Sequence, residues 1–222
     1  MSVNQAREQM IEQQVRAWEV LDARVLALLR NVPREQFVPD THRFLAFADV
    51  EVPLPHGQHM LRPNIGGRLL QALELTGTER VLEIGAGTGF LTACLAKAAA
   101  HVKSLELFAD LADVARANVA AVGATHVEIV TADAMQAGVQ LEPTGGGRYH
   151  AIAVTGSLPV YDERFQRLLE VGGRLFVIVG DAPVMEARLV RRVAEDGWIT
   201  ESLFETVVDP LLNARRTPGF AF

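Results

Sequence analysis

Cysteine is almost missing from this chain. Cys94 stands alone among 222 residues, so no internal disulfide can form. A reducing compartment suits such a sequence, and a soluble, cytoplasmic protein is expected. Long apolar runs are missing too: nothing approaches the ~18 uncharged apolar residues that span a bilayer. The opening residues, Met1 to Glu8, lack the apolar centre of a secretory leader. Basic charge is not in excess, since Lys+Arg 21 against Asp+Glu 27 leaves a net charge of −6. Dedicated nucleic-acid binders usually carry a basic surplus, so neither nucleic acid nor membrane is expected as a partner.

What is present is apolar and well mixed, 49% hydrophobic with 22% charged. A chain of this length buries roughly 70% of its unfolded surface, enough for a core without staples. Disorder, collagen and disulfide scaffolds are excluded on composition.

Two regions follow from the patterning. Residues 1–75 read as a helical N-terminal extension. Met10, Val15 and Trp18 form one apolar stripe, and Asp22 caps a second helix carrying Val25, Leu26, Leu28 and Leu29. From Val50 to Pro63, three prolines and Gly57 make a shaped loop that is neither helix nor strand. A helix from about Ile65 to Leu75 follows it. Residues 76–222 read as an α/β domain forming one compact unit with the extension. Strands are expected at Arg80–Ile84, Val102–Glu106, Val127–Thr131, Ala151–Thr155 and Arg174–Val179. Helices are expected near Phe90–Ala100, Leu111–Val122, Glu163–Leu169 and Val184–Ala194. The alternation implies right-handed crossovers and a doubly wound, mostly parallel sheet. Gly197–Val208 reads as a strand, with Gly219–Phe222 returning beside it.

The most informative stretch is Val81-Leu82-Glu83-Ile84-Gly85-Ala86-Gly87-Thr88-Gly89-Phe90. A buried strand entering a glycine turn and then a helix presents backbone N–H groups to an anionic ligand. A dinucleotide site wants G-x-G-x-x-G. Here the third glycine comes one position early, at Gly89, and Phe90 fills the place it should hold. Glu83 would repel a pyrophosphate but suits an ammonium group. S-adenosyl-L-methionine has an amine, a carboxylate, a sulfonium and a ribose with two hydroxyls. Glu106, ending the second strand, is placed to accept from those hydroxyls. Asp133, after the third strand, is placed to accept from an adenine amine. The candidate cofactor-binding set is Glu83, Gly85, Ala86, Gly87, Thr88, Gly89, Glu106, Leu107, Asp133, Ala134 and Thr155.

These residues resemble the class I methyltransferases, and other stretches narrow the likeness to the protein-L-isoaspartate O-methyltransferase family. They are Arg24-Val25-Leu26, Val32 to Pro39, Pro55-His56-Gly57-Gln58, Tyr149 to Thr155 and Leu169 to Gly180. The resemblance implies a seven-stranded Rossmann-like sheet, S-adenosyl-L-methionine as cofactor, and carboxyl methylation of isoaspartyl residues in damaged proteins. It also exposes a departure. The family's active-site loop carries Gly-Gln-Thr-Ile-Ser and then a proline, where this chain has Gly57-Gln58-His59-Met60-Leu61-Arg62-Pro63. The family's serine is Leu61 and its threonine is His59; His150 stands where the family usually has Asp.

Methyl transfer is an in-line displacement at an activated carbon, so alignment and exclusion of water dominate. A carboxylate is ionised at pH 7 and needs no general base. Losing a hydroxyl beside it costs about 1–3 kcal/mol unless another donor substitutes, and Arg62 is the candidate substitute. Weak isoaspartyl methylation is therefore expected. The active-site loop His59, Met60, Leu61 and Arg62 is the candidate catalytic segment. Two further readings keep the cofactor: a small-molecule or other protein acceptor, or a binding protein without catalysis. A nicotinamide oxidoreductase is disfavoured by Phe90 and Glu83. The histidines show no metal-ligand spacing, and no metal is expected.

Overall fold

The computed structural model describes residues 2–216. Ser2 opens helix α1 (Val3–Met10) with a capping box: its hydroxyl accepts from the Gln5 N–H, and Gln5 Oε1 accepts from the Ser2 N–H. The helix widens to a π turn over Ile11–Val15, tightens to a 3₁₀ turn at Arg16–Trp18, and stops where Glu19 turns left-handed. Asp22 caps α2 (Ala23–Asn31), its carboxylate accepting from the Arg24 N–H at 2.8 Å.

The proline loop holds more order than its sequence suggests. A two-residue antiparallel pair, β1 (Val52–Pro53) with β2 (His59–Met60), closes around a 3₁₀ turn at Pro55–Gly57. Helix α3 (Pro63–Leu73) starts directly after it, on a proline whose missing N–H has no partner to lose at that position.

The main sheet has seven strands: β3 (Arg80–Ile84), β4 (His101–Glu106), β5 (Val127–Thr131), β6 (Tyr149–Leu158), β7 (Leu169–Asp181), β8 (Val184–Ala194) and β9 (Gly197–Thr206). Their order is β5-β4-β3-β6-β7-β8-β9. The first five in that order run parallel, and β8 and β9 are added antiparallel. Helices α4 (Phe90–Ala98), α5 (Ala109–Ala121) and α6 (Glu163–Arg167) fill the crossovers. Alternate residues of the central strands enter opposite cores. Val81, Ala151, Ala153, Phe176 and Ile178 join Met10, Leu29, Leu69 and Phe90 on one side. Leu82, Ile84, Ile152, Val154, Leu175 and Val177 pack with Tyr149 and Phe165 on the other.

One element differs in kind from its expectation. Val184–Ala194, read as a helix, is strand β8. The physical reason is its period: Met185, Ala187 and Leu189 are buried while Glu186 and Arg188 between them are less so, an alternation of two. The cation of Arg192 is buried and caps the Leu169 carbonyl at 2.7 Å, which binds β8 to the start of β7. Consequently α6 ends at Arg167 and Leu169 already belongs to the sheet. The strand expected over Gly197–Val208 forms as β9; its suggested partner, Gly219–Phe222, lies outside the described residues. No helix among the described residues is long and apolar enough to cross a membrane.

Candidate active site at the carboxyl edge of the sheet

Parallel strands end at one edge, and β3, β4, β5 and β6 deliver the residues at their C-terminal ends to one cleft. The glycine turn forms its floor. Gly85 has φ 94°, and a Cβ there would lie 2.3 Å from Thr155 Oγ1, so only glycine fits. Thr155 Oγ1 in turn sits 2.8 Å from the Ile84 and Gly85 carbonyl oxygens, sharing its one proton between them. Gly89, at φ 90°, caps α4 where Ala115 and Val119 of α5 leave no room for a side chain. Ala86 and Thr88 line an adjoining apolar cleft together with Met60 and Phe90.

Glu106 is the organising acid. It is only 6% exposed, yet it lines the cleft. One carboxylate oxygen accepts from the Gly87 N–H at 2.8 Å and the other from the Phe108 N–H at 3.1 Å. Each oxygen keeps a second lone pair for a ligand. Burial raises its pKa, and those N–H donors oppose the rise. Asp133 lies further along the wall with Leu107, Ala134 and Met135. Its carboxylate accepts from the Met135 N–H and from Asn213 Nδ2, both at 2.8 Å.

Glu83 departs from its expected place. It is fully buried behind the wall, where Oε2 accepts from Thr92 Oγ1 and Ser104 Oγ at 2.6 Å each. Strand alternation is the reason: Ile84 faces the cleft, so Glu83 must point toward α4. Burial pushes its pKa up to about 7 against the pull of the two hydroxyls. Its other oxygen, Oε1, is buried without a hydrogen-bond partner among the described residues.

The proline loop folds over the cleft. Buried Arg34 donates to the Ala46 carbonyl at 3.0 Å and the Leu61 carbonyl at 2.8 Å, with its guanidinium over Phe90. Desolvation lowers its pKa to about 10, so the cation persists at neutral pH. His56 stacks on Phe108 with centroids 4.0 Å apart and bonds Asp110 through Nε2 at 2.9 Å. Leu61 and His59 reach the cleft wall. Arg62 is not among the residues lining it and acts electrostatically on Glu51.

Two acids on the wall escaped the sequence reading. Glu51 lies inside the loop, and Asp209 follows the last strand, where nothing in the local pattern ties it to a loop 150 residues away. Asp209 Oδ2 meets His59 Nδ1 at 2.5 Å. Pro210 after it was the only signal, and it reads merely as a chain break.

A parallel sheet with a glycine turn after its first strand, an acid ending the second and another after the third defines a class I methyltransferase. Similarity to known proteins agrees. The family model for protein-L-isoaspartate(D-aspartate) O-methyltransferase matches residues 4–214. A protein-L-isoaspartate O-methyltransferase of Rhodopseudomonas palustris is 40% identical over 208 residues, covering 93% of this chain and 82% of that protein. One from Methanoculleus marisnigri is 39% identical over 193 residues, covering 87% and 84%. In fold, the chain superimposes with a TM-score of 0.77 and 18% identity on a Plasmodium falciparum structure described as this enzyme in complex with S-adenosyl-L-homocysteine, covering 96% of this chain and 99% of that one. The chain belongs to the protein-L-isoaspartate O-methyltransferase family, and it is an S-adenosylmethionine-dependent methyltransferase.

Proposed function

We propose that the cleft holds S-adenosyl-L-methionine and that the chain passes its methyl group to an acceptor oxygen admitted beneath the proline loop. The observation that carries this reading is Glu106, a nearly buried carboxylate fixed by two backbone N–H groups with lone pairs left on the cleft side. That pair of acceptor oxygens suits a ribose diol. Asp133 beside Ala134 and Met135 suits an adenine edge, and the Gly85–Gly89 backbone suits the methionine carboxylate. When bound, the sulfonium supplies an activated methyl carbon. The chain's own contribution is to align it, with Thr155 fixing the turn and the loop excluding water. Residues 1–75 supply the cover and residues 76–222 the donor site, and the lone buried Cys94 fits work in a reducing cytoplasm.

For the acceptor, the family implies the carboxylate of an isoaspartyl residue in a protein or peptide. This chain has Leu61 in place of a hydroxyl, and the acids Glu51 and Asp209 line the same cleft. Those features favour a second reading, an acceptor that is not an anion. The test is transfer of labelled methyl to an isoaspartyl peptide, run beside an unmodified family member. The expected result is little product from this chain; turnover equal to that of the comparison enzyme would assign it the isoaspartyl substrate outright.

A further inference from the structure

We propose that His56 is a positioning residue, clasping the proline loop to the donor wall and setting how fast the cofactor exchanges. The inference rests on the reading that the cleft holds S-adenosyl-L-methionine.

The clasp begins in the backbone. His56 stands at φ 61°, ψ 23° and Gly57 at φ 67°, two successive left-handed residues at the tip of the β1–β2 pair. A residue with a side chain seldom adopts that conformation, and it persists where surrounding contacts hold it. The turn is braced from within. The Leu54 N–H donates to the Gln58 carbonyl at 2.8 Å, and the Gln58 N–H to the Pro55 carbonyl at 3.2 Å. Gln58 Nε2 donates to the His56 carbonyl at 3.2 Å. The tip therefore moves with the loop as one piece.

The ring of His56 then reaches the wall. It lies flat on Phe108, centroids 4.0 Å apart and planes within 5° of parallel. Its Nε2 is 2.9 Å from both Asp110 oxygens. A carboxylate only accepts, so the Nε2–H donates to it. Among the described residues, the contact with Asp110 is the one place where a hydrogen bond joins residues 50–63 to β4 or α5. Both partners are exposed, and such a pair holds little by itself. The stack beneath it supplies the rest.

What the clasp holds is the ribose acid's own segment. Glu106, Phe108 and Asp110 come at every second residue where β4 passes into α5. Glu106 accepts from the Phe108 N–H at 3.1 Å. Phe108 lines the cleft and His56 does not, so His56 acts through Phe108. From the loop, Leu54, Gln58, His59 and Leu61 line the same cleft. Leu54 also reaches the glycine turn, where its Cδ1 would lie 3.4 Å from a Cβ at Gly87. A ligand between this loop and Glu106 leaves when the loop lifts, and lifting it parts His56 from Phe108 and Asp110. The wall is fixed by the sheet, so the loop is the part that yields.

The test loads the full chain with labelled S-adenosylhomocysteine, chases with unlabelled compound and reads the dissociation rate. His56→Ala should release the label about tenfold faster. His56→Phe keeps the stack and loses the bond to Asp110, so its release should be only about threefold faster. Asp110→Ala should also speed release, and adding it to His56→Ala should bring no further increase, because the two residues form one contact. Arg30→Ala is the control for general loosening. It removes the ion pairs with Glu8 and Glu12, away from the cleft, and should release at the wild-type rate. An unchanged rate in His56→Ala, or an equal acceleration in Arg30→Ala, overturns the clasp. Failure of the wild type to bind the labelled compound overturns the donor-site reading itself.

Discussion

Leu61 and Glu83 are the residues where chemistry and position are most tightly joined. Leu61 brings an isobutyl group to the cleft wall where the family implies a hydroxyl. Leu61→Ser should raise isoaspartyl methylation by several-fold, consistent with about 1–3 kcal/mol for a restored hydrogen bond. Labelled transfer reads it, and no change would mean that His59 and Met60 have reshaped the loop. Glu83 makes its mark on stability. Its folded pKa, about 7, lies above the ordinary 4.5, so the native state keeps the proton longer than the unfolded chain. Stability from this group is therefore full below about pH 4.5 and declines as pH rises toward about 7. Glu83→Gln abolishes that decline, and should gain on wild type by up to roughly 3 kcal/mol between those limits. Urea unfolding of both proteins at the two ends of the window checks it; parallel profiles would place the titration elsewhere.

At the scale of elements, the glycine turn and strand β8 teach opposite lessons. The turn was legible in full, because Gly85 and Gly89 record positive φ and close approach directly in the sequence. Gly85→Ala should destabilise the fold by about 1–3 kcal/mol, from the strained φ and the contact with Thr155 Oγ1. Adding Thr155→Ala should return only the steric part, as denaturant titration will show. Strand β8 was misread. Its Glu186, Arg188 and Arg191 look like a charged helix face, but the buried partners recur every second residue. Two neighbouring strands decide the matter, and neither is visible from within the segment. The acids of the site divide in the same way. Glu106 and Asp133 line the cleft because strand ends form the open edge of a parallel sheet. Glu83 lies one step of the pleat behind that edge, and Asp209 reaches the cleft through the bridge between Pro210 and Ser157.

For the whole molecule, the central relation is between the N-terminal cover and the donor site. Arg34 carries much of that relation, because it bonds one carbonyl before the proline loop and one within it, and packs on Phe90. Arg34→Ala leaves two part-buried carbonyls without a donor, at about 1–3 kcal/mol each. It should lower stability and weaken methyl transfer more than cofactor binding, since the donor wall is built from β3 to β6 and the cover from the loop. The central claim, that this wall holds S-adenosylmethionine, is tested most directly by calorimetry with S-adenosylmethionine, S-adenosylhomocysteine and NAD on wild type and Glu106→Ala. Saturable binding of the first two without NAD is expected, weakened by about 1–3 kcal/mol in the variant as two hydrogen bonds to the ribose are lost. Binding of NAD alone, or an affinity indifferent to Glu106, would contradict it.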